Sequence, residues 1–472
     1  MKEKWFRIIV GASLALFAIL AGVGLSSENV GIVAIILGLP VLILAFLNSK
    51  VTVFLVFFFS IIYHDLVRQL LPTFESSRHI MDLLIIALFT RALLSKAGEG
   101  RFNFTPVFIP AILWLILVSI SSSMNQIPMM NFLMKIRQMG IFILFFYALA
   151  NLDLDLQTIK RAFWFVFALV WVQVLVAFWH YHLYGMSDYV RGFTPGGPEI
   201  TFLLLWATAF VYGLYLYTRK VNLITLVLAS GIFLIIPVMS GIRAAFYFYP
   251  ALAGLLFLAP LILSAITKEN LWVSFKKGLA ALGTTVVSLA AAVLFVPPIR
   301  HLYHILLITF VWGIYNQERI YAVGHVGRFV APQIAHSYLM VKGLPGLLAG
   351  YGLGSVILSK FISLSANRST FKALTTQLPV SLYETGYLGV ALYIAMAIGV
   401  IWLIIPCFRM ARDGDERAMI FSFVVPAVSF IGMTVYYWVW IEHIAGTIFW
   451  GLGGLLAAFY YLRKREKEKG GT

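Results

Sequence analysis

Apolar runs of roughly twenty residues, each long enough to cross a bilayer as an α-helix, follow one another from Arg7 to Leu462. We place spans at 6–26, 29–48, 51–65, 80–95, 105–122, 130–150, 162–182, 200–218, 222–240, 244–266, 279–297, 379–406, 418–440 and 444–462, about fourteen crossings at that rule of thumb. Only 11% of the 472 residues are charged and 61% are hydrophobic, and the mean hydropathy of +0.93 lies far outside the range of soluble globular chains. The expected fold is an all-α integral membrane protein. Residues 1–472 form one polytopic domain, with 298–378 as a large, partly helical extracytoplasmic loop and 463–472 as a cytoplasmic tail.

The opening "MKEKWFRIIVGASLALFAILAGVGL" has a basic start and a long apolar run. No small-residue cleavage site follows, so it reads as a retained first helix. With that end inside, the inner connections collect most of the 35 lysines and arginines, and an even number of spans returns the basic tail "LRKREKEKGG" to the same side, as the positive-inside rule requires. The net charge of +16 is thus spread between spans, which argues against nucleic acid and for lipid headgroups or anionic substrates. Cys407, the single cysteine, can form neither an internal disulfide nor a metal cluster.

Outer cations then need their own explanation. The segment 298–378 holds Arg300, Arg319, Arg328, Lys342, Lys360, Arg368 and Lys372 against Glu318 alone. A connection of that length is usually functional or partly helical. "LYHILLITFVWGIY" and "APQIAHSYLMVKGLPGLL" predict helices that lie on the interface or pack back into the bundle. Arg191 in "DYVRGFTPGGPEITFLLL", Arg243 in "PVMSGIRAAFYFYP" and Arg328 fall on the same outer side. A guanidinium at membrane depth costs at least ~2.5 kcal/mol on insertion scales and persists where it faces a cavity or a partner, or where it snorkels to the interface. Together the three form a candidate anion clamp, because guanidinium binds phosphate bidentately at any pH. Donors aimed at a departing diphosphate would stabilise the charge that develops as its bond breaks.

The remaining polar features are weaker. Asp188, Glu199, Glu318, Glu384 and Glu442 are scattered, so no carboxylate cluster for a divalent metal is expected. "LAGYGLGSV" follows no strand and contains neither GxGxxG nor a Walker lysine, so it reads as a tight backbone turn and not as a nucleotide loop. His301, His304, His325 and His336 lie in the long segment, and a histidine there could take a proton from a hydroxyl. His301 and His304 have helical spacing without a third zinc ligand. Glu384, near the outer start of its span, is costly unless paired. It could bind an arginine, cap a loop or act as base, and pairing is the favoured reading.

The order of these pieces resembles the O-antigen polymerase and O-antigen ligase family of bacterial envelope glycosyltransferases. It consists of "VRGFTPGGPEITFLLL", "SGIRAAFYF", "VGRFVAP", "GYGLGS" and "YETGYLG", and covers Asp188 to Val400. The resemblance implies a GT-C-like fold of about 12–14 helices whose outer loop closes over the site. It implies a bacterial inner-membrane location, an undecaprenyl diphosphate-linked glycan as donor, and no nucleotide sugar, cofactor or metal. Arg191, Arg243 and Arg328 would hold the donor, with His336 and Glu384 completing the candidate catalytic set. Membrane lipids and a chain-length regulator would be the further partners. Ligases of the family resemble one another in a histidine motif just before the "ExGxxG" start, where this chain reads "ALTTQLPVSLYETG". That departure favours a polymerase over a ligase acting on lipid A core or another acceptor. A transporter of lipid-linked sugars is a reading from another class, but transporters tend to show internal repeats and broken helices at the midplane. No repeat between the halves is evident, and the unusual arginines cluster at one face.

Overall fold

The computed structural model describes residues 48–63, 66, 79–99, 102–185, 187, 189–194, 197–218, 220–240, 245–268, 270–295, 330–356, 377–436, 440 and 442–470. Among these residues there is no strand. The expected span 6–26 and nearly all of 29–48 lie outside them, as do Arg243, Arg328, His301, His304 and His325.

The helices follow the apolar runs. In order they are α1 (Ser49–Phe58, continued by a π-helical turn over Phe59–Tyr63), α2 (His79–Glu99), α3 (Phe108–Met124), α4 (Met129–Asn151), α5 (Leu156–Tyr184), α6 (Gly197–Tyr217), α7 (Leu223–Met239), α8 (Ala245–Thr267) and α9 (Leu271–Phe295). Then come α10 (Ala331–Val341), α11 (Gly343–Ala349), α12 (Gln377–Trp402), α13 (Ile404–Met410), α14 (Gly414–Tyr436), α15 (His443–Gly446, continued by a second π-helical turn over Thr447–Gly451) and α16 (Leu452–Gly470). Short polar residues set several starts by accepting otherwise orphaned amides. Asn48 takes Val51 N–H, Asp155 takes Thr158 N–H at 2.8 Å, and Asn222 takes Thr225 N–H at 2.8 Å.

Six described helical stretches are long and apolar enough to cross a membrane, namely Met129–Asn151, Leu156–Tyr184, Pro198–Tyr217, Gln377–Met410, Gly414–Thr434 and His443–Lys469. The protein is therefore an all-α, multi-pass membrane protein. α14 packs along α6, α4 lies between α2 and α16, and α12 lies on α3. Aromatic rings fill the centre: Phe430 stacks on Phe449, and Tyr393 on Trp440, with ring centroids 4.0 Å apart in both pairs.

Two sequence boundaries differ from expectation. α9 starts at Leu271, well before 279, because the lysines read as lying outside the span are accommodated on the helix. Lys277 donates to Leu216 O at 2.6 Å and Lys276 sits 5.3 Å from the centre of the Trp272 ring. The tail that begins at 463, placed outside the last span, continues α16 as helix to Gly470. Three of its charged side chains have partners on other elements. Arg463 pairs with Glu416, Arg465 with Asp153 at 2.7 Å, and Glu466 with Arg412 at 3.0 Å.

Those pairs belong to one end of the bundle, where Lys50–Asp155 (2.7 Å), Lys96–Asp153 (2.9 Å), Lys160–Asp413 (2.6 Å) and Lys220–Asp415 (2.7 Å) also lie. The connections assigned to the inner side thus meet in space and lace helix ends together. We refer to it as the ion-paired end. The candidate site residues that are described belong to the opposite end.

Candidate functional site

The opposite end is organised by a break in α12. At Gly386 the backbone takes φ 67° and ψ −175°, so α12 is two helical segments with a kink between them. A helix broken inside apolar surroundings leaves carbonyls without their i+4 donors, and these must find others. Tyr383 O accepts Tyr351 N–H at 2.8 Å and Glu384 O accepts Gly352 N–H at 2.9 Å. The donors come from the "GYGLGS" segment after α11, which lies in extended contact with the break. Close approach is the reason for glycine here. A Cβ on Gly386 would stand 2.4 Å from Leu348 O, and one on Gly350 would stand 2.6 Å from Glu384 C.

Glu384 completes the dock. Its Oε1 accepts Gly354 N–H at 3.1 Å and Val356 N–H at 3.2 Å. Its Oε2 lies 3.3 Å from Lys135 Nζ on α4, with the two side chains 1% and 5% exposed. That contact is an ion pair and not a well-directed hydrogen bond. Glu384 therefore both pairs and caps a loop, with a lysine as partner in place of an arginine. Two residues further along α4, Arg137 pairs with Asp82 of α2 at 2.6 Å. Sequence reading passed over Lys135 and Arg137, although two cations within an apolar span in "NFLMKIRQMGIFILFF" are a signal of the same kind as Glu384.

α10 and α11 pack back onto α12, as expected for the "APQIAHSYLMVKGLPGLL" run. Lys342, at their junction, donates to Asn125 Oδ1 and lies 4.8 Å from the centre of the Tyr351 ring. Burial pushes its ammonium below the usual lysine value. Tyr351 in turn stacks on Tyr383, with ring centroids 4.6 Å apart and planes 8° from parallel. His336 Nδ1 lies 3.0 Å from Tyr387 Oη just past the break. In the tautomer where Nδ1–H donates to that oxygen, Nε2 keeps a free lone pair and can accept a proton.

Arg191 stands on a second loop built by a different device. Gln173 of α5 accepts Phe193 N–H on its Oε1 at 2.6 Å and donates from Nε2 to Ile61 O at 2.5 Å. Ile61 lies in the first π-helical turn, where a local break in the α-helical ladder frees carbonyls. Gly192, at φ 62°, lets the backbone pass the glutamine, since a Cβ there would stand 2.3 Å from Gln173 Oε1. Thr194 Oγ1 donates to Arg191 O at 2.6 Å. Arg191 itself is half-buried, with its guanidinium 5.9 Å from the centre of the Tyr189 ring.

The two π-helical turns face each other. Ser60 donates to His443 O at 2.9 Å, and its oxygen lies 2.6 Å from Thr447 Oγ1. Phe142 of α4 lies edge-on to His443, with ring centres 6.0 Å apart. α4 thus sends Lys135 toward the broken helix and Phe142 toward the π turns that anchor the Arg191 loop. Glu384 and His336 share the α12 assembly, and Arg191 stands on a separate loop at the same end. Among the described residues no group of three or more histidines, cysteines or carboxylates is arranged to hold a metal.

Compared with known proteins, the chain matches no family model and no curated protein sequence.

Proposed function

We propose that this protein is a glycosyltransferase of the polysaccharide-polymerase type. It takes a glycan from an undecaprenyl diphosphate carrier and transfers it to a hydroxyl of an incoming lipid-linked repeat unit, by metal-independent inversion at the anomeric carbon. The observation that carries the reading is the concentration of cations and re-routed backbone at one end of the bundle. Lys135 and Lys342 stand there against the assembly around a helix broken at Gly386, and Arg137 and Arg191 lie at the same end on other elements. A membrane-depth arrangement of this kind normally marks a substrate path or site, and its position toward one end suits a substrate whose lipid stays in the bilayer.

In the proposed step, the acceptor oxygen forms a bond to the anomeric carbon as the bond from that carbon to the diphosphate oxygen breaks. The electron pair leaves with the lipid diphosphate. The acceptor proton passes to His336 Nε2. Arg191, with Arg243 and Arg328, neutralises the charge on the leaving group. Glu384 has a positioning role, because its oxygens hold the loop and the lysine. The site would lie on the outer face of a bacterial inner membrane.

The test is incubation of purified protein with a single undecaprenyl diphosphate-linked repeat unit, without nucleotide or metal, followed by size separation. A ladder of repeat lengths is the expected result. Donor consumed only when a lipid A core or other acceptor is added would replace the polymerase with a ligase. Unchanged donor under both conditions, with carrier movement in vesicles, would replace it with a transporter.

A further inference from the structure

The outer end of α5 and the loop after it carry a row of aromatic rings that the proposed reaction leaves without a role. The ring centres of Trp179 and His180 are 6.3 Å apart, those of His180 and Tyr184 6.0 Å, and those of Tyr184 and Tyr189 5.6 Å. Arg191 closes the row, with its guanidinium 5.9 Å from the centre of the Tyr189 ring. The two tyrosines are open to their surroundings, Tyr184 being 57% exposed and Tyr189 62%.

Depth decides what those surroundings are. Lys160, near the start of α5, pairs with Asp413 at the ion-paired end. At ~1.5 Å per residue, Trp179 stands about 28 Å further along the helix and Tyr184 about 36 Å. The hydrocarbon core is about 30 Å thick, so Trp179 marks its outer boundary, the usual place for an indole, and Tyr184 lies beyond it. Lipid chains therefore do not account for the exposed face of Tyr184. Past Tyr184 the chain turns back, because Phe193 is held by Gln173, which is only about 20 Å from Lys160 along the helix. The loop thus descends from Tyr184 through Tyr189 to Arg191.

We infer that Tyr189 and Tyr184 form a stacking platform for the first two sugar rings of the lipid-linked glycan. This rests on the reading that Arg191 holds the carrier diphosphate. Such a substrate runs outward from the bilayer as lipid, diphosphate and sugars, and the protein offers Arg191, Tyr189 and Tyr184 in the same order. The C–H groups on the face of a pyranose carry slight positive charge and lie favourably against the negative face of a phenol ring. Hydroxyls at the rim of the sugar meet tyrosine Oη, which both donates and accepts. The 5.6 Å between the tyrosine ring centres is comparable to the length of one pyranose unit. Stacking draws on ring faces and not on net charge, so it needs no unpaired cation.

The test titrates the full-length protein in detergent with three carriers and counts bound carrier by native mass spectrometry. The carriers are undecaprenyl diphosphate alone, the same lipid bearing one N-acetylglucosamine, and the same lipid bearing N,N′-diacetylchitobiose. Affinity of the parent should rise about three- to tenfold with each sugar. Tyr189→Ala should remove the first gain and Tyr184→Ala only the second, while Tyr189→Phe and Tyr184→Phe should keep both. Trp179→Leu, at the membrane boundary, should leave all three affinities unchanged. Equal affinity of the parent for the three carriers, or equal weakening of all three in the alanine variants, would overturn the platform. Polymer formed at the parental KM by the double variant Tyr184→Ala, Tyr189→Ala would overturn it too and leave the polymerase reading standing. Sugar-dependent binding without any polymer would do the reverse, keeping the platform and removing the polymerase.

Discussion

Glu384 of α12 and Lys135 of α4 form an ion pair, 3.3 Å between charged atoms, with both side chains almost fully withdrawn from the surface. The pair joins the helix that breaks to the helix that runs unbroken past it. A pair this buried is strongly destabilised when one partner is removed, by roughly 3–5 kcal/mol, because the other charge is left uncompensated.

Glu384→Gln keeps an oxygen for the Gly354 and Val356 amides but removes the negative charge that faces Lys135. Thermal unfolding in detergent should show a clear loss, with part of it restored by the double change Glu384→Gln, Lys135→Met. A Glu384→Gln protein as stable as the parent yet inactive would instead assign the carboxylate to the chemistry.

Gly386→Ala places a methyl 2.4 Å from Leu348 O in a backbone region that alanine avoids. The cost should reach about 1–3 kcal/mol. The measurable consequence is faster proteolysis of the segment around Lys342, since α11 and the following loop lose their seat on α12. Unchanged proteolysis would mean that the loop is held by Glu384 alone.

Gln173→Leu removes the acceptor for Phe193 N–H and the donor to Ile61 O while keeping side-chain bulk. Each buried group left unsatisfied costs about 1–3 kcal/mol. If Arg191 holds the donor, Gln173→Leu should raise KM for the lipid-linked substrate more than it lowers kcat, whereas Arg191→Ala should lower both. Equal kinetics for Gln173→Leu and the parent would uncouple the loop from the site.

Acid should loosen the ion-paired end first. Hydrogen bonds from Lys50 and Thr158 hold the Asp155 carboxyl well below its usual value. At Asp153, burial favours the neutral acid, but hydrogen bonds from Arg465 and Lys96 outweigh it and lower the value. Carboxyls depressed in the folded state contribute stability that is complete above the unfolded value of about 4 and is lost as pH falls through the folded value. The unfolding temperature should therefore drop as pH falls below about 4. Asp153→Asn should lower it at neutral pH and flatten that acid slope, and a slope unchanged by the substitution would place the acid-sensitive groups elsewhere.

The helices were legible because a bilayer imposes its thickness on composition: each expected span from 51–65 onward overlaps a described helix, and six described stretches are long and apolar enough to cross. Glu384 was legible as a residue in need of a partner, but Lys135 was not legible as that partner, since local pattern does not show which helices will be neighbours. The break at Gly386 was hidden for a related reason. Glycine in "YETGYLG" fits an uninterrupted membrane helix, and only the "GYGLGS" segment, arriving from the long loop, makes the broken form favourable. Gln173 left no mark at all, being a lone amide in an apolar run whose two partners are backbone groups on distant segments.

The ion pairs of α16 also have a consequence in time. Arg463, Arg465 and Glu466 meet Glu416, Asp153 and Arg412, all of which precede α16 in the chain and are synthesised before it. Until α16 is made, Asp153 after α4 has Lys96 and Glu416 of α14 has Lys160, but neither has its arginine partner. A chain interrupted before Arg463 lacks these contacts and should enter the membrane yet remain open to quality-control proteases.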